Sequence, residues 1–154
     1  MTQRSVTHAT FTVERTYPTP PEEVFAAWAD PTAKAQWFGS GGGDDFELDF
    51  RIGGREINRG GPDGGPVFTY DAHYHDIVDN ERIVYTYEMY MGDTRISVSL
   101  TSVELTATAD GTRLVFTEAG AFLDGHDTPQ QRESGTGSLL DALGTALTGQ
   151  GAGA

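Results

Sequence analysis

The feature that most constrains the fold of this chain is its last amphipathic segment, residues 128–147. Thr128 supplies a hydroxyl to the free N–H groups of a helix start, Pro129 takes the first helical position, and Gln131 falls three residues after the cap. That is a capping-box start with proline where no N–H is needed. Thr136, Leu139, Leu140, Leu143 and Leu147 then recur at steps of three and four, which gathers them on one stripe. Residues 148–154 are mostly glycine and alanine and offer nothing to cover that stripe, so the helix must lie on what precedes it. Gly135, Gly137 and Gly144 each weaken it by roughly 1 kcal/mol relative to alanine. They predict either close packing or, around Gly135, Thr136 and Gly137, room for something that is not protein.

What precedes the helix reads mostly as strands. Residues 8–17 alternate, with Phe11, Val13, Arg15 and Tyr17 opposite Thr10, Thr12, Glu14 and Thr16, the period of a half-buried strand. Arg15 on the apolar face requires either a strand end twisted into water or a carboxylate partner. After Pro18, Pro20 and Pro21, residues 22–29 and 32–38 read as two short helices separated by Asp30-Pro31. The first turns Val24, Phe25 and Trp28 inward, and the second ends in Trp37-Phe38. The glycine-rich loop 39–43 has neither the following lysine nor the preceding strand of a phosphate loop, so nucleotide binding is not expected. Residues 44–52, with Phe46, Leu48, Phe50 and Ile52 inward, then 55–59, 67–78, 82–91, 95–107 and 112–120 supply six more strands. From the glycine–proline turn 60–66 onward the connections are short hairpin turns. The expected fold class is α+β: a seven-stranded curved antiparallel sheet wrapped around a long C-terminal helix, with two short helices after strand 1. Residues 1–148 are expected to form a single domain and 149–154 a flexible tail.

Composition narrows the function. The 154 residues carry a formal net charge of −13, which repels nucleic acid and anionic membrane surfaces. Cysteine is absent, excluding disulfides and thiolate chemistry. No leader-like segment and no apolar run of membrane-spanning length is present, so a cytoplasmic location without membrane insertion is expected. Asp71, His73 and His75 have a spacing that suits a metal. The opposite face of that strand carries Phe68, Tyr70, Ala72 and Tyr74, which claim the interior, so the histidines point to solvent and no metal is expected. No nucleophile elbow or Ser–His–Asp order occurs, and no cofactor is expected.

The aromatic residues are the strongest hint of a role. On this topology Phe11, Trp37, Phe38, Tyr70, Tyr74, Tyr85, Tyr87, Met89 and Phe122 line a space between sheet and helix. Thr136, Leu139, Leu140 and Leu143 of the helix roof it. Several tyrosines together predict an apolar cavity with polar handles. Leu114, Phe116 and Glu118 share a face of the last strand. Residues 119–127 are expected to form a lid tipped by Phe122-Leu123. Glu118 is the one weak candidate for catalytic acid–base work.

Val24-Phe25-Ala26-Ala27-Trp28, then Asp30-Pro31 and Trp37-Phe38, resemble the N-terminal signature of the activator-of-heat-shock-protein-90-ATPase homologues, a branch of the START-like (SRPBCC, helix-grip) superfamily. Gly53-Gly54-Arg55, the run Glu81-Arg82-Ile83-Val84-Tyr85-Thr86, Gly111-Thr112-Arg113-Leu114, and Gly135 with Leu140-Asp141-Ala142-Leu143 resemble its later motifs in the right order, over residues 10–148. The resemblance implies a sheet wrapped around the C-terminal helix with an apolar cavity between. It also makes the first and last strands neighbours, so Arg15 and Glu118 are expected to meet as a partly buried pair at the cavity mouth. It does not imply one activity, because members include lipid and polyketide binders, cyclases, self-resistance proteins and chaperone activators. Many members carry tryptophan where Thr136 follows Gly135 here, which predicts either a wider cavity or a different packing choice. Three readings follow: binding of a small hydrophobic, lipid- or polyketide-like ligand; a polyketide cyclase or dehydratase using Glu118 or a cavity histidine as base; and a chaperone ATPase activator. The expected partner is the small ligand, with a homodimer left open.

Overall fold

Alternating strand residues, proline breaks and one capped helix give the element order β1 (Val6–Tyr17), α1 (Pro21–Ala29), α2 (Pro31–Ala35), β2 (Phe46–Leu48), β3 (Arg55–Gly60), β4 (Phe68–Val78), β5 (Arg82–Met91), β6 (Thr94–Ala107), β7 (Thr112–Leu123) and α3 (Pro129–Thr148). This is a computed structural model, and it describes residues 4–38, 45–61 and 64–149. The expected glycine-rich loop 39–43, part of the turn 60–66 and nearly all of the tail 149–154 lie outside the described residues. The seven strands form one antiparallel sheet in the order β1-β7-β6-β5-β4-β3-β2, an α+β meander whose first strand returns to the edge beside the last.

The helix α3 starts as the cap predicts, with Thr128 Oγ1 accepting the Gln131 N–H at 3.1 Å. Its apolar stripe buries Thr136, Leu140 and Leu143 in a core shared with the inward residues of the sheet and with α1. Tyr17 at the end of β1 donates its hydroxyl to the Leu140 carbonyl at 2.8 Å, tying helix to sheet. A Cβ at Gly144 would stand 3.1 Å from the Tyr17 ring, and one at Gly137 would stand 3.2 Å from the Arg15 guanidinium. Close packing therefore accounts for these two glycines. A Cβ at Gly135 meets nothing within 4 Å.

Four expectations are corrected. The second strand is confined to Phe46–Leu48, because residues 49–54 fold into a tight turn in which Gly54 N–H donates to the Arg51 carbonyl at 2.7 Å. Gly53 takes the left-handed φ of 85° there, and Ile52 is left 59% exposed rather than inward. The expected lid at 119–127 is strand for half its length: β7 runs to Leu123, paired with Val6, and Phe122 is buried. The turn comes only at Asp124, whose carboxylate accepts the Ser5 N–H at 2.9 Å. Finally, Arg15 does not meet Glu118. The register sets Arg15 opposite Leu114 and Glu118 opposite Phe11, four residues apart along the strands, roughly 13 Å. Arg15 reaches across to α3 instead and binds Asp141 at 2.7 Å.

Candidate ligand cavity

The two short helices and the middle of the sheet carry most of the aromatic side chains, and these meet in an unbroken series. Trp28 packs edge-on to Trp37 at 4.8 Å, Trp37 to Phe38 at 5.6 Å, and Phe38 to Tyr70 at 4.9 Å. Tyr70 continues to Tyr87 at 4.7 Å. The Trp37 indole N–H donates to the Ala27 carbonyl at 3.0 Å, which fixes the turn after α2 on α1. Against these rings lies the first half of α3, and between them is a cavity of about 260 Å³. For scale, an engineered apolar cavity of about 150 Å³ holds benzene. A second chamber of about 180 Å³ adjoins it, sharing Phe38, Tyr70, Met89 and Leu139 and adding Asn58, Gly60 and Phe68.

Of the residues expected at the site, Trp37, Phe38, Tyr70, Tyr85, Tyr87, Met89, Thr136, Leu139 and Leu140 border the first cavity. The others lie elsewhere. Phe11 stacks on Phe116 in the core at 6.4 Å, Leu143 is buried in the same core, and Tyr74 donates to Glu56 at 2.6 Å. Phe122 lies beneath the Arg132 guanidinium at 5.1 Å. Arg15 faces Asp141, away from the cavity. His73 and His75 are on the exposed face as expected. Asp71 beside them is engaged by both Arg55 Nε and Nη2 at 2.9 Å, which holds its carboxyl below the usual range.

Sequence reasoning missed Trp28, Phe116, Asp127, Gln131 and Arg132 in the lining, whereas Gly135 borders the cavity where room beside Thr136 was one of the two expectations. Arg132 is the most consequential. The α3 stripe runs one turn further back than its leucines, from 136 to 132, and a positional reading would have found it. Its guanidinium is 9% exposed and makes five hydrogen bonds. Nη1 donates to Tyr87 OH at 2.7 Å and Glu118 Oε2 at 3.0 Å. Nη2 donates to Ser97 Oγ at 2.7 Å and Asp127 Oδ2 at 2.9 Å, and Nε to the same oxygen at 3.2 Å. A guanidinium has five N–H donors, so all are engaged. Burial opposes the charge, but Tyr87, Glu118 and Asp127 outweigh it and raise the Arg132 pKa.

Glu118 is fully buried and accepts from Tyr87 at 2.8 and 2.9 Å, from Ser99 Oγ at 2.7 Å, and from Arg132. It stands behind Tyr87 and does not border the cavity. Burial and then the charge of Glu118 push the Tyr87 hydroxyl pKa well up. A second buried pair lies on the far side of the rings, where Lys34 Nζ is 2.6 Å from Glu56 Oε1 with neither side chain exposed. The ammonium sits 4.4 Å from the Phe38 ring centroid and 5.3 Å from that of Trp28. Burial pulls its pKa down against the pull of Glu56. Among the described residues no cluster of three metal-ligating side chains occurs, and no helix is long and apolar enough to cross a membrane.

Comparison with known proteins bears on this architecture. The chain matches the family model described as Activator of Hsp90 ATPase homolog 1-like protein over residues 18–148. The chain belongs to this family. An uncharacterised protein of Rhizobium leguminosarum has a similar structure, with a TM-score of 0.91 and 48% identity over 96% of this chain and 99% of that one. The Mll3558 protein from Rhizobium loti is similar at a TM-score of 0.89 and 50% identity, covering 93% of this chain and 99% of its own. The CV1439 protein from Chromobacterium violaceum shares the fold at 24% identity and a TM-score of 0.74, over 90% of this chain and 96% of that one. No functionally curated protein matches the chain. The Activator of Hsp90 ATPase homolog 1-like match takes in both short helices, β2 to β7 and α3, and so spans every element that borders the cavity.

Proposed function

We propose that this protein binds a small, largely apolar ligand in the cavity between α3 and the sheet. The observation that carries the reading is the cavity itself: about 260 Å³ walled by aromatic rings, in a protein class whose interiors are otherwise close-packed. An unfilled hollow is unfavourable by about 24 cal/mol per Å³, and a larger side chain at position 136 would fill it. In this reading the chain acts in the cytoplasm on a small molecule rather than on nucleic acid or membrane.

A thermal-shift screen of aromatic polyketides, flavonoids and fatty acids tests the proposal. A ligand at 100 times its Kd adds about 2.7 kcal/mol, and about 2–4 °C per kcal/mol applies to a chain of this size. The expected shift is therefore on the order of 5–10 °C. It should be absent in Thr136→Trp, whose indole occupies the space. A screen in which no compound separates the two proteins would defeat the reading.

Acid–base catalysis by Glu118 is the weaker alternative, because its carboxylate is enclosed by three donors behind Tyr87. Turnover abolished by Glu118→Gln with ligand binding intact would restore it. The family description keeps chaperone activation as a second reading. Stimulation of a chaperone ATPase by ligand-free protein would put that reading first.

A further inference from the structure

We propose that the cavity selects by charge, accepting planar aromatic compounds that end in a neutral or cationic hydrogen-bond donor and rejecting carboxylates. The inference rests on the cavity being a ligand site, as argued above.

Arg132 is the one cation bordering the cavity among the described residues. Residues 1–3, 39–44, 62–63 and 150–154 contain no lysine or arginine, so no other basic side chain comes from them. All five of its donors are taken, three of the bonds going to Glu118 and Asp127. The group therefore carries two carboxylates on one guanidinium, a net charge of −1. A ligand carboxylate would have to lose its water, displace one of these partners and leave that partner buried without its counter-charge, which is strongly unfavourable. The other nearby cation, Lys34, is covered by Phe38 and Trp28 and paired with Glu56. It has no exposed surface with which to meet an anion.

A donor on the ligand finds the opposite situation. Among the described residues Asp127 Oδ1, on a residue that borders the cavity, accepts only the Thr128 N–H, at 2.8 Å, and a carboxylate oxygen has capacity for a further bond. The excess negative charge at this end, and the chain's overall −13, favour a donor or a cation. Tyr70, Tyr85 and Tyr87 border the same cavity, and an aromatic lining suits a flat ring system and attracts an ammonium. A volume less than twice that of a benzene site sets the size of the first chamber at one to two fused rings. Long-chain fatty acids fail on both charge and shape.

The test uses three probes of nearly equal shape: naphthamide, naphthylmethylammonium and naphthoate, titrated calorimetrically into the full chain at low salt. The amide and the ammonium are expected to bind more tightly than the carboxylate by on the order of tenfold. Asp127→Asn, which removes one of the two carboxylates and weakens its hold on Arg132, is expected to strengthen naphthoate binding and weaken that of the ammonium. Naphthoate binding as tightly as the amide in the unmodified chain would overturn the charge rule while leaving the cavity a ligand site. Failure of all three probes to bind up to millimolar concentration would overturn the cavity reading, and the charge rule with it. The ranking in the unmodified chain decides the matter even if Asp127→Asn does not fold.

Discussion

Replacing Lys34 with methionine keeps the unbranched stem that packs beneath Phe38 and removes the ammonium 2.6 Å from Glu56 Oε1. Glu56 is then left with one hydrogen bond, from Tyr74 at 2.6 Å. Its other oxygen, Oε2, has no partner among the described residues. Both side chains are fully buried, so water does not screen the orphaned carboxylate. Breaking one side of such a pair is destabilising by about 3–5 kcal/mol. Since the stem's volume is conserved, no cavity penalty is added. Spread over a chain of this length, that lowers Tm by on the order of 10 °C. Replacing both partners, as in Lys34→Met with Glu56→Leu, removes the charge altogether and should recover most of the loss. Urea unfolding followed by intrinsic fluorescence reads both effects as a shift in midpoint at unchanged m. A cost below about 1 kcal/mol for Lys34→Met, or a double variant no more stable than the single, would refute the argument that this pair is desolvated and mutually dependent.

Arg132→Met should cost about 3 kcal/mol or more, and Glu118→Gln in the same background should cost less than it does alone. Additive losses in that double-mutant cycle would mean that the two are not coupled. Five of the six tyrosines, Tyr17, Tyr70, Tyr74, Tyr85 and Tyr87, have hydroxyl pKa values raised by burial. Above pH 10 the unfolded chain releases these protons while the folded chain retains them. Stability therefore falls as pH rises, at up to about 7 kcal/mol per pH unit. Phenolate absorbance should rise in the same step as the loss of circular dichroism, whereas gradual ionisation of all six in the folded state would contradict the burial. Gly135→Ala, with open space for its methyl group, should stabilise by about 0.5–1 kcal/mol. Gly144→Ala, held 3.1 Å from the Tyr17 ring, should not, and equal gains in thermal unfolding would discount the close packing.

Which parts of this molecule were readable from sequence depended on whether position or residue type carried the signal. Strands such as β1 were legible because their outward residues are mostly threonine or charged and their inward ones aromatic or branched, whereas β6 buries Ser97, Ser99 and Thr101 and exposes Val98 and Leu100. The stripe of α3 was legible from Thr136 to Leu147, but its first turn was not, because Arg132 is charged and residue type hid a core position. The buried Lys34–Glu56 pair escaped for the same reason, although Glu56 is paired with the inward Ala72 in the β3–β4 register. Gly120 looked like a strand end, yet a Cβ there would stand 2.9 Å from Ser99 Oγ. The glycine permits the close approach beside which Ser99 reaches Glu118, and the strand continues past it. The expected Arg15–Glu118 contact rested on the correct neighbouring strands, but the register of the β1–β7 ladder sets Arg15 opposite Leu114 and keeps the two apart.

The central claim is that α3 roofs a cavity open to a small aromatic ligand, and the chain's two tryptophans both border that cavity. The indole N–H resonances of Trp28 and Trp37 therefore report on it directly. Titrating naphthamide into isotope-labelled protein should move both signals saturably with one common Kd. Indole signals that stay fixed while amides on the outer sheet face move would contradict the account.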